Sequence, residues 1–242
     1  MSTLPANVNA TSLNPMLTRR NLALLLVLMM LPAAVAARDG ADPAINRPYL
    51  DAEFEQWVER FERPGREVYD RREAIVAATG VKPGMHVADI GAGTGLFTMM
   101  FARQVSAQGR VYAVDISKNF IANIEHRATQ AGLLNITGIV SSQNETRLPP
   151  ASIHLAFICD TYHHFEQPVS MLASIHRALK PGGILVVVDF ERIEGKSSNW
   201  VLGHVRTGKE SVIHEIETAG FHLAADEQLL KDNFYLRFIK NK

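Results

Sequence analysis

The chain has 242 residues, with 25 Lys+Arg balanced by 25 Asp+Glu, 47% hydrophobic residues and a single cysteine. Zero formal charge lacks the basic excess of a dedicated nucleic-acid binder. One cysteine cannot close an internal disulfide or build a thiolate metal cluster, and the composition is too apolar for a disordered chain.

From the start, Thr18-Arg19-Arg20 precedes the apolar run Leu22 to Leu31, then Pro32 and the small-residue stretch Ala33 to Ala37. A positive start, a greasy centre and an A-x-A site at Ala34-Val35-Ala36 make an export signal, by general secretion or a twin-arginine route. The apolar stretch is shorter than the roughly 20 residues that span a bilayer. Residues 1–37 therefore read as a cleaved signal or a peripheral membrane anchor through 22–37, and the expected location is exported or periplasmic.

Residues 38–48 are polar with Pro and Gly and read as a linker. From Ala52 to Ala78 apolar residues recur at helical spacing, broken at Pro64-Gly65 into two helices. These divisions give a linker and N-terminal helix over 38–65 and a main domain over 66–242. Strand-like runs follow at 85–90, 110–115, 136–141, 154–159 and 184–189, with helix-like runs at 96–106, 118–131 and 167–179 between them. Such alternation implies crossover units and a parallel sheet covered on both faces. The tail differs: a helix over 208–219, Gly220, then strand-like 221–228 and 233–240 as a closing antiparallel pair.

The first strand turns into a helix through Asp89-Ile90-Gly91-Ala92-Gly93-Thr94-Gly95. Glycines there let the backbone turn sharply and let a ligand approach the main chain, and the helix N–H groups favour an anionic group. The dinucleotide pattern G-x-G-x-x-G would need glycine where Leu96 stands, which disfavours a nicotinamide dehydrogenase. The second strand ends in Asp115, a carboxylate able to take both hydroxyls of a ribose. Leu179-Lys180-Pro181-Gly182-Gly183 precedes the fifth strand.

These three motifs in order resemble the class I S-adenosylmethionine-dependent methyltransferases, in particular the small-molecule branch similar to the ubiquinone/menaquinone-biosynthesis enzymes, over roughly residues 66 to 240. The resemblance implies an α/β, Rossmann-like seven-stranded mixed sheet, six strands parallel and one antiparallel, with helices on both faces. It implies S-adenosylmethionine as cofactor, with the Gly91–Gly93 backbone facing its methionine part, Asp115 on the ribose and Ile116 against the adenine. Asp89, Ala92, Gly95 and Asp160 complete the expected cofactor-binding set. Asn144 stands where the family places an acid before Leu148-Pro149, so an amide oxygen replaces a carboxylate as acceptor. His154 stands where the family often has Asp, which bears on packing.

After the fourth strand comes Cys159-Asp160-Thr161-Tyr162-His163-His164-Phe165, at the sheet edge where a doubly wound fold opens its crevice. An acceptor carrying a proton needs a base, and histidine titrates nearest neutrality. Neighbours in an extended segment point opposite ways, so at most one histidine of the pair faces the crevice, and His163 is the choice. Tyr162 is the second candidate catalytic residue, able to order substrate or present its ring to a sulfonium. In the bland alternative one histidine caps the strand and the other starts the next helix.

A metal site would recruit His204 or His214, but the spacing matches no recognised ligand pattern, so none is expected. Cys159 reads as packing, Asp189 and His204-Val205-Arg206 as possible substrate wall, Tyr69 as a possible cover, and residues 40–66 as a possible lid. An aminopropyltransferase would want a second acid near Asp160, where histidines stand. The resulting expectation is methyl transfer to a small-molecule acceptor, with no nucleic-acid partner. The competing possibility is a non-catalytic module that binds S-adenosylmethionine or S-adenosylhomocysteine.

Overall fold

The apolar runs become strands because alternate residues of each meet a different helical layer. The computed structural model describes residues 40–50 and 53–242, so the reading of residues 1–37 as a leader lies outside the described residues. The strands are β1 (His86–Ile90), β2 (Arg110–Asp115), β3 (Ile136–Val140), β4 (Ile153–Cys159), β5 (Leu179–Phe190), β6 (Phe221–Glu227) and β7 (Asn233–Lys240). They form one sheet in the order β3-β2-β1-β4-β5-β7-β6. The pairings among β1 to β5 are parallel, whereas β7 is antiparallel to both β5 and β6. The single reversed strand thus makes two antiparallel pairings.

Helices α4 (Arg72–Ala78), α5 (Leu96–Val105) and α6 (Lys118–Gln130) cover one face, and α7 (Pro168–Ala178) and α9 (Lys209–Thr218) the other. Along β4, Leu155 and Phe157 pack with Ile75, Phe97 and Phe101, while Ala156 and Ile158 pack with Ile175 and Ile216. This is the period-2 alternation of a strand buried on both sides. Full burial of one such Phe or Ile stabilises by about 1.5–3 kcal/mol. β5 starts earlier than the expected 184. Ile153 already pairs with Leu179, and a register shift before Leu155 absorbs the Lys180–Gly183 turn.

The N-terminal stretch departs from a linker. Residues Pro43–Asn46 form a 3-10 turn, continued by α1 (Arg47–Leu50), α2 (Phe54–Phe61) and α3 (Glu67–Asp70). Asp42 caps the turn by accepting the Ala44 N–H at 2.9 Å, and the Ala41 N–H donates to the Phe165 carbonyl at 2.9 Å. Asn46 is buried. Local polarity does not mark a linker here, because the Ala41 main chain and the Asn46 side chain bond to the body of the protein. The break at Pro64-Gly65 stands where the sequence puts it, with Gly65 at φ +87°. The described residues belong to one unit, and among them no helix is long and apolar enough to cross a membrane.

Successive connections run outward in opposite directions from β1 and β4, which are neighbours in the sheet. A crevice therefore opens beyond their carboxyl ends. Gly95, the residue before α5, sits at φ +83°, and a Cβ there would come 2.8 Å from Cγ1 of Ile124 on α6. Gly95→Ala combines left-handed backbone with overpacking, and is expected to destabilise by about 1–3 kcal/mol. Chemical denaturation measures it; a loss below about 0.5 kcal/mol would mean the helix pair is not held at this glycine.

Candidate active site

The crevice is a cavity of about 710 Å³ lined by residues that follow β1, β2 and β4. On one side β1 delivers Asp89, and the chain turns at Gly91 (φ +73°) and Gly93 (φ +53°). A Cβ on Gly91 would lie 2.2 Å from the Thr161 side chain, so the loops after β1 and β4 can touch only if residue 91 is glycine. Asp115, 6% exposed, accepts the Gly93 N–H on Oδ2 at 2.9 Å and the Ser117 N–H on Oδ1 at 2.8 Å. It thereby ties the end of β2 to the glycine turn. Burial pushes its carboxyl up to about 6, against the pull of those N–H groups. Asp89 accepts the Thr98 hydroxyl at 2.6 Å, and burial pushes it up to about 7.

Gly91, Ala92, Gly93, Asp115, Ile116, Asp89 and Asp160 all line the cavity. Gly95 does not, because its backbone faces α6; its glycine serves helix packing, as the third glycine of such turns does. Asn144 is also outside the lining. It is exposed and accepts the Ser142 hydroxyl at 2.7 Å, while Ser141 and Gln143 face the cavity from the same loop. Asp160 reaches the wall with both oxygens engaged, Oδ2 by Arg66 at 2.6 Å and Oδ1 by the Asn233 amide at 2.6 Å. It works as a strut between α3 and β7. Burial raises its carboxyl and Arg66 opposes the rise.

Tyr162, expected as a second catalytic residue, stands away from the cavity wall. It is fully buried, its hydroxyl donates to Glu215 Oε2 at 2.7 Å, and Arg206 lies over its ring while pairing with the same glutamate. Tyr162 and Arg206 are both absent from the cavity wall, as is Tyr69, whose ring is covered by Arg72. In their place the N-terminal turn and α1–α2 bring Tyr49, Trp57 and Phe61 onto the wall. Their aromatic recurrence in the sequence was the available signal.

Both histidines of the pair face the cavity, contrary to the expectation of one. Residues Tyr162–His164 form a 3-10 turn, not an extended segment, so neighbours diverge by about 120° instead of 180°. His163 Nδ1 lies 2.7 Å from Asp189 Oδ1, and its main-chain N–H donates to Asp189 Oδ2 at 3.1 Å. Burial pulls the His163 imidazole down, but Asp189 outweighs it and the net displacement is upward. His164 Nδ1 meets Asn46 Oδ1 at 3.1 Å, and burial pulls this ring down to about 2. His204, at the end of α8 (Asn199–His204), completes the face and stacks on Trp200 with ring centroids 4.4 Å apart. His214 is exposed on α9. Cys159 also reaches the wall, its thiol pushed well up by burial. His154 serves packing, its Nδ1 accepting the His86 N–H at 2.9 Å.

Residues 87–183 match the methyltransferase domain family. Over 124 residues the chain is 31% identical to the ubiquinone/menaquinone biosynthesis C-methyltransferase UbiE of Hydrogenovibrio crunogenus, covering 51% of this chain and 48% of that protein. The chain spans about half the length of the curated relatives it matches. A SAM-dependent methyltransferase from Aquifex aeolicus has the same fold, with a TM-score of 0.68 at 24% identity over 76% of this chain and 96% of that one. Phosphoethanolamine N-methyltransferase 2 of Haemonchus contortus, solved with S-adenosyl-L-methionine, gives 0.61 at 18% identity over 79% of this chain and 60% of that one.

The donor side fits S-adenosylmethionine. Asp115 keeps acceptor capacity beyond the N–H groups of Gly93 and Ser117, which suits a ribose hydroxyl. The glycine turn exposes main chain without side chains in the way, and Gly93 would meet nothing closer than the Phe61 ring at 3.5 Å. Ile116 and Phe120 supply apolar surface beside Asp115 for a purine.

Proposed function

We propose, from the premise that this chain carries the methyltransferase domain of the S-adenosylmethionine-dependent enzymes, that it moves a methyl group from that donor to a small-molecule nucleophile seated against His163. The observation that carries this reading is the His163–Asp189 pair at the carboxyl ends of β4 and β5, in the same cavity as the glycine turn and Asp115. When bound, the donor supplies a methyl group on a positively charged sulfur.

The chain's own residues do the positioning. Asp115 and the Gly91–Gly93 backbone hold the nucleoside end, and Tyr49, Trp57 and Phe61 supply an aromatic wall to the crevice. Holding two reactants in line supplies several kcal/mol of the barrier reduction. Asp189 keeps the proton of His163 on Nδ1, which leaves the Nε2 lone pair to accept the proton of an O–H, N–H or S–H acceptor. Size favours a small acceptor: about 710 Å³ is an ordinary small-ligand pocket, and the donor fills part of it.

The test incubates the full-length protein with cell extract and isotopically methyl-labelled S-adenosylmethionine, followed by untargeted mass spectrometry. A labelled low-mass product is expected. Tight S-adenosylhomocysteine binding with no labelled product from any extract supports a non-catalytic binding module instead and overturns the enzyme reading.

A further inference from the structure

One ring nitrogen from each of His163, His164 and His204 lies within 4.8 Å of the other two, and we propose that these three imidazoles hold a divalent transition-metal ion on the acceptor side of the cavity. Spacing does not single out this constellation among the histidines the sequence offers, because its members sit on two separate elements, the turn after β4 and the end of α8. The fold joins them, with ring centroids 4.3–5.3 Å apart.

The hydrogen bonds around the rings prepare two of them as ligands. His163 gives Nδ1 to Asp189 Oδ1, and Asp189 is itself fixed by the N–H groups of His163 and Phe190. The Asn46 amide nitrogen donates to the His164 carbonyl at 3.0 Å and to Glu166 Oε1 at 2.9 Å. That fixes the amide with its oxygen toward His164 Nδ1, which must therefore carry the proton. Both rings are left with a lone pair on Nε2, and no described group bonds to either. A carboxylate or amide oxygen behind a histidine, setting its tautomer, is the usual outer support of a metal-bound imidazole. Trp200, stacked on His204, sets the plane of the third ring.

Three nitrogen ligands and an open position match catalytic zinc chemistry and suit cobalt or nickel, whereas magnesium and calcium want oxygen. Metal–nitrogen bonds of about 2.0–2.1 Å in tetrahedral geometry need nitrogens about 3.3 Å apart, so the rings must draw together by up to about 1.5 Å. Ion binding therefore requires these side chains to rotate. All three residues line the cavity, so the open position serves an acceptor that can itself ligate: a hydroxyl, thiol or amine. The ion then lowers the acceptor's pKa in place of the His163 lone pair. Ion binding stands apart from the methyl-transfer reading; only this consequence rests on it.

The test titrates the full-length chain, stripped by chelator dialysis, with Co²⁺ followed by visible absorption and with Zn²⁺ followed by calorimetry. One ion per chain is expected, with the intense d–d bands of a four- or five-coordinate Co²⁺. His204→Ala should lose at least about 100-fold in affinity, and Asp189→Asn about 10–100-fold. His214→Ala, on the exposed face of α9, should lose nothing. S-adenosylhomocysteine binding, unchanged in His204→Ala, serves as the fold control. Sub-stoichiometric binding, or binding that His204→Ala and His164→Ala leave intact, overturns the site. Labelled methyl transfer by the stripped protein without ion binding would defeat this proposal and leave the function standing; stoichiometric binding without transfer would do the reverse.

Discussion

Replacing His163 by alanine is expected to lower the turnover number for methyl transfer by about 10²–10⁴-fold, the usual yield of a positioned acid–base group. The ring is 3% exposed and is the one of the three that has a carboxylate behind it. Its removal takes away the lone pair that activates the acceptor. The donor half of the cavity is built by β1 and β2, so S-adenosylhomocysteine affinity should stay within about threefold, the signature of a group used in the transition state more than in binding. A structural cost accompanies the change, because Asp189 is buried and loses its ring partner; about 1–3 kcal/mol of stability is expected to go. Turnover is therefore compared at a temperature where melting curves show both proteins folded. A variant that is folded, binds the product nucleoside normally and still turns over within tenfold of the parent removes His163 from the chemistry.

The half of this site that the sequence revealed is the half built locally. A strand, a glycine turn and a helix in succession bring Asp89, Gly91 and Gly93 to one sheet edge, and the next strand ends on Asp115, so local spacing groups these residues while the family resemblance supplies their reading as a donor site. The acceptor side depends on contacts between distant segments. Tyr162 looked reactive beside its histidines, yet the 3-10 turn sends it under α9, to Glu215. The rule that neighbours point opposite ways, which admits only one of the two histidines to the cavity, fails in that same turn. The resemblance puts Asn144 at the family's acid position before Leu148-Pro149, but a loop has no period to enforce a facing, and Gln143 lines the wall. The stretch around Asn46 looks like a linker because that side chain finds its partners, His164 and Glu166, only in the assembled fold. The strands are legible because the apolar runs of β4 and β5 depend on nothing outside each strand, whereas the seven-stranded arrangement comes from the family resemblance.

Asp115→Ala is expected to weaken S-adenosylhomocysteine binding by about 10–150-fold, equivalent to losing one charged hydrogen bond of about 1.5–3 kcal/mol. The same substitution leaves the Gly93 and Ser117 N–H groups without their acceptor and loosens the turn that faces the ligand. Acidity separates this role from general disorder. Burial raises the Asp115 carboxyl from 3.8 to about 6, and the ionised form is the better acceptor for two hydroxyls. Affinity in the parent should therefore rise as pH climbs through about 6 and level off above it, and in Asp115→Ala this dependence should vanish. Stability runs the other way. A carboxyl whose folded pKa lies above its unfolded one contributes stability fully below the unfolded value and loses it as pH rises through the folded value. Asp115 and Asp89, the latter raised to about 7, should thus make the ligand-free protein progressively less stable between about pH 4 and 7, with Asp115→Ala flattening part of that slope. Calorimetric titrations with S-adenosylhomocysteine at pH 5 to 8 and melting curves over the same range measure both. Equal affinity at pH 5 and 8 in the parent, or an alanine variant that binds as tightly, would detach Asp115 from the ribose and leave the glycine turn alone to hold the nucleoside.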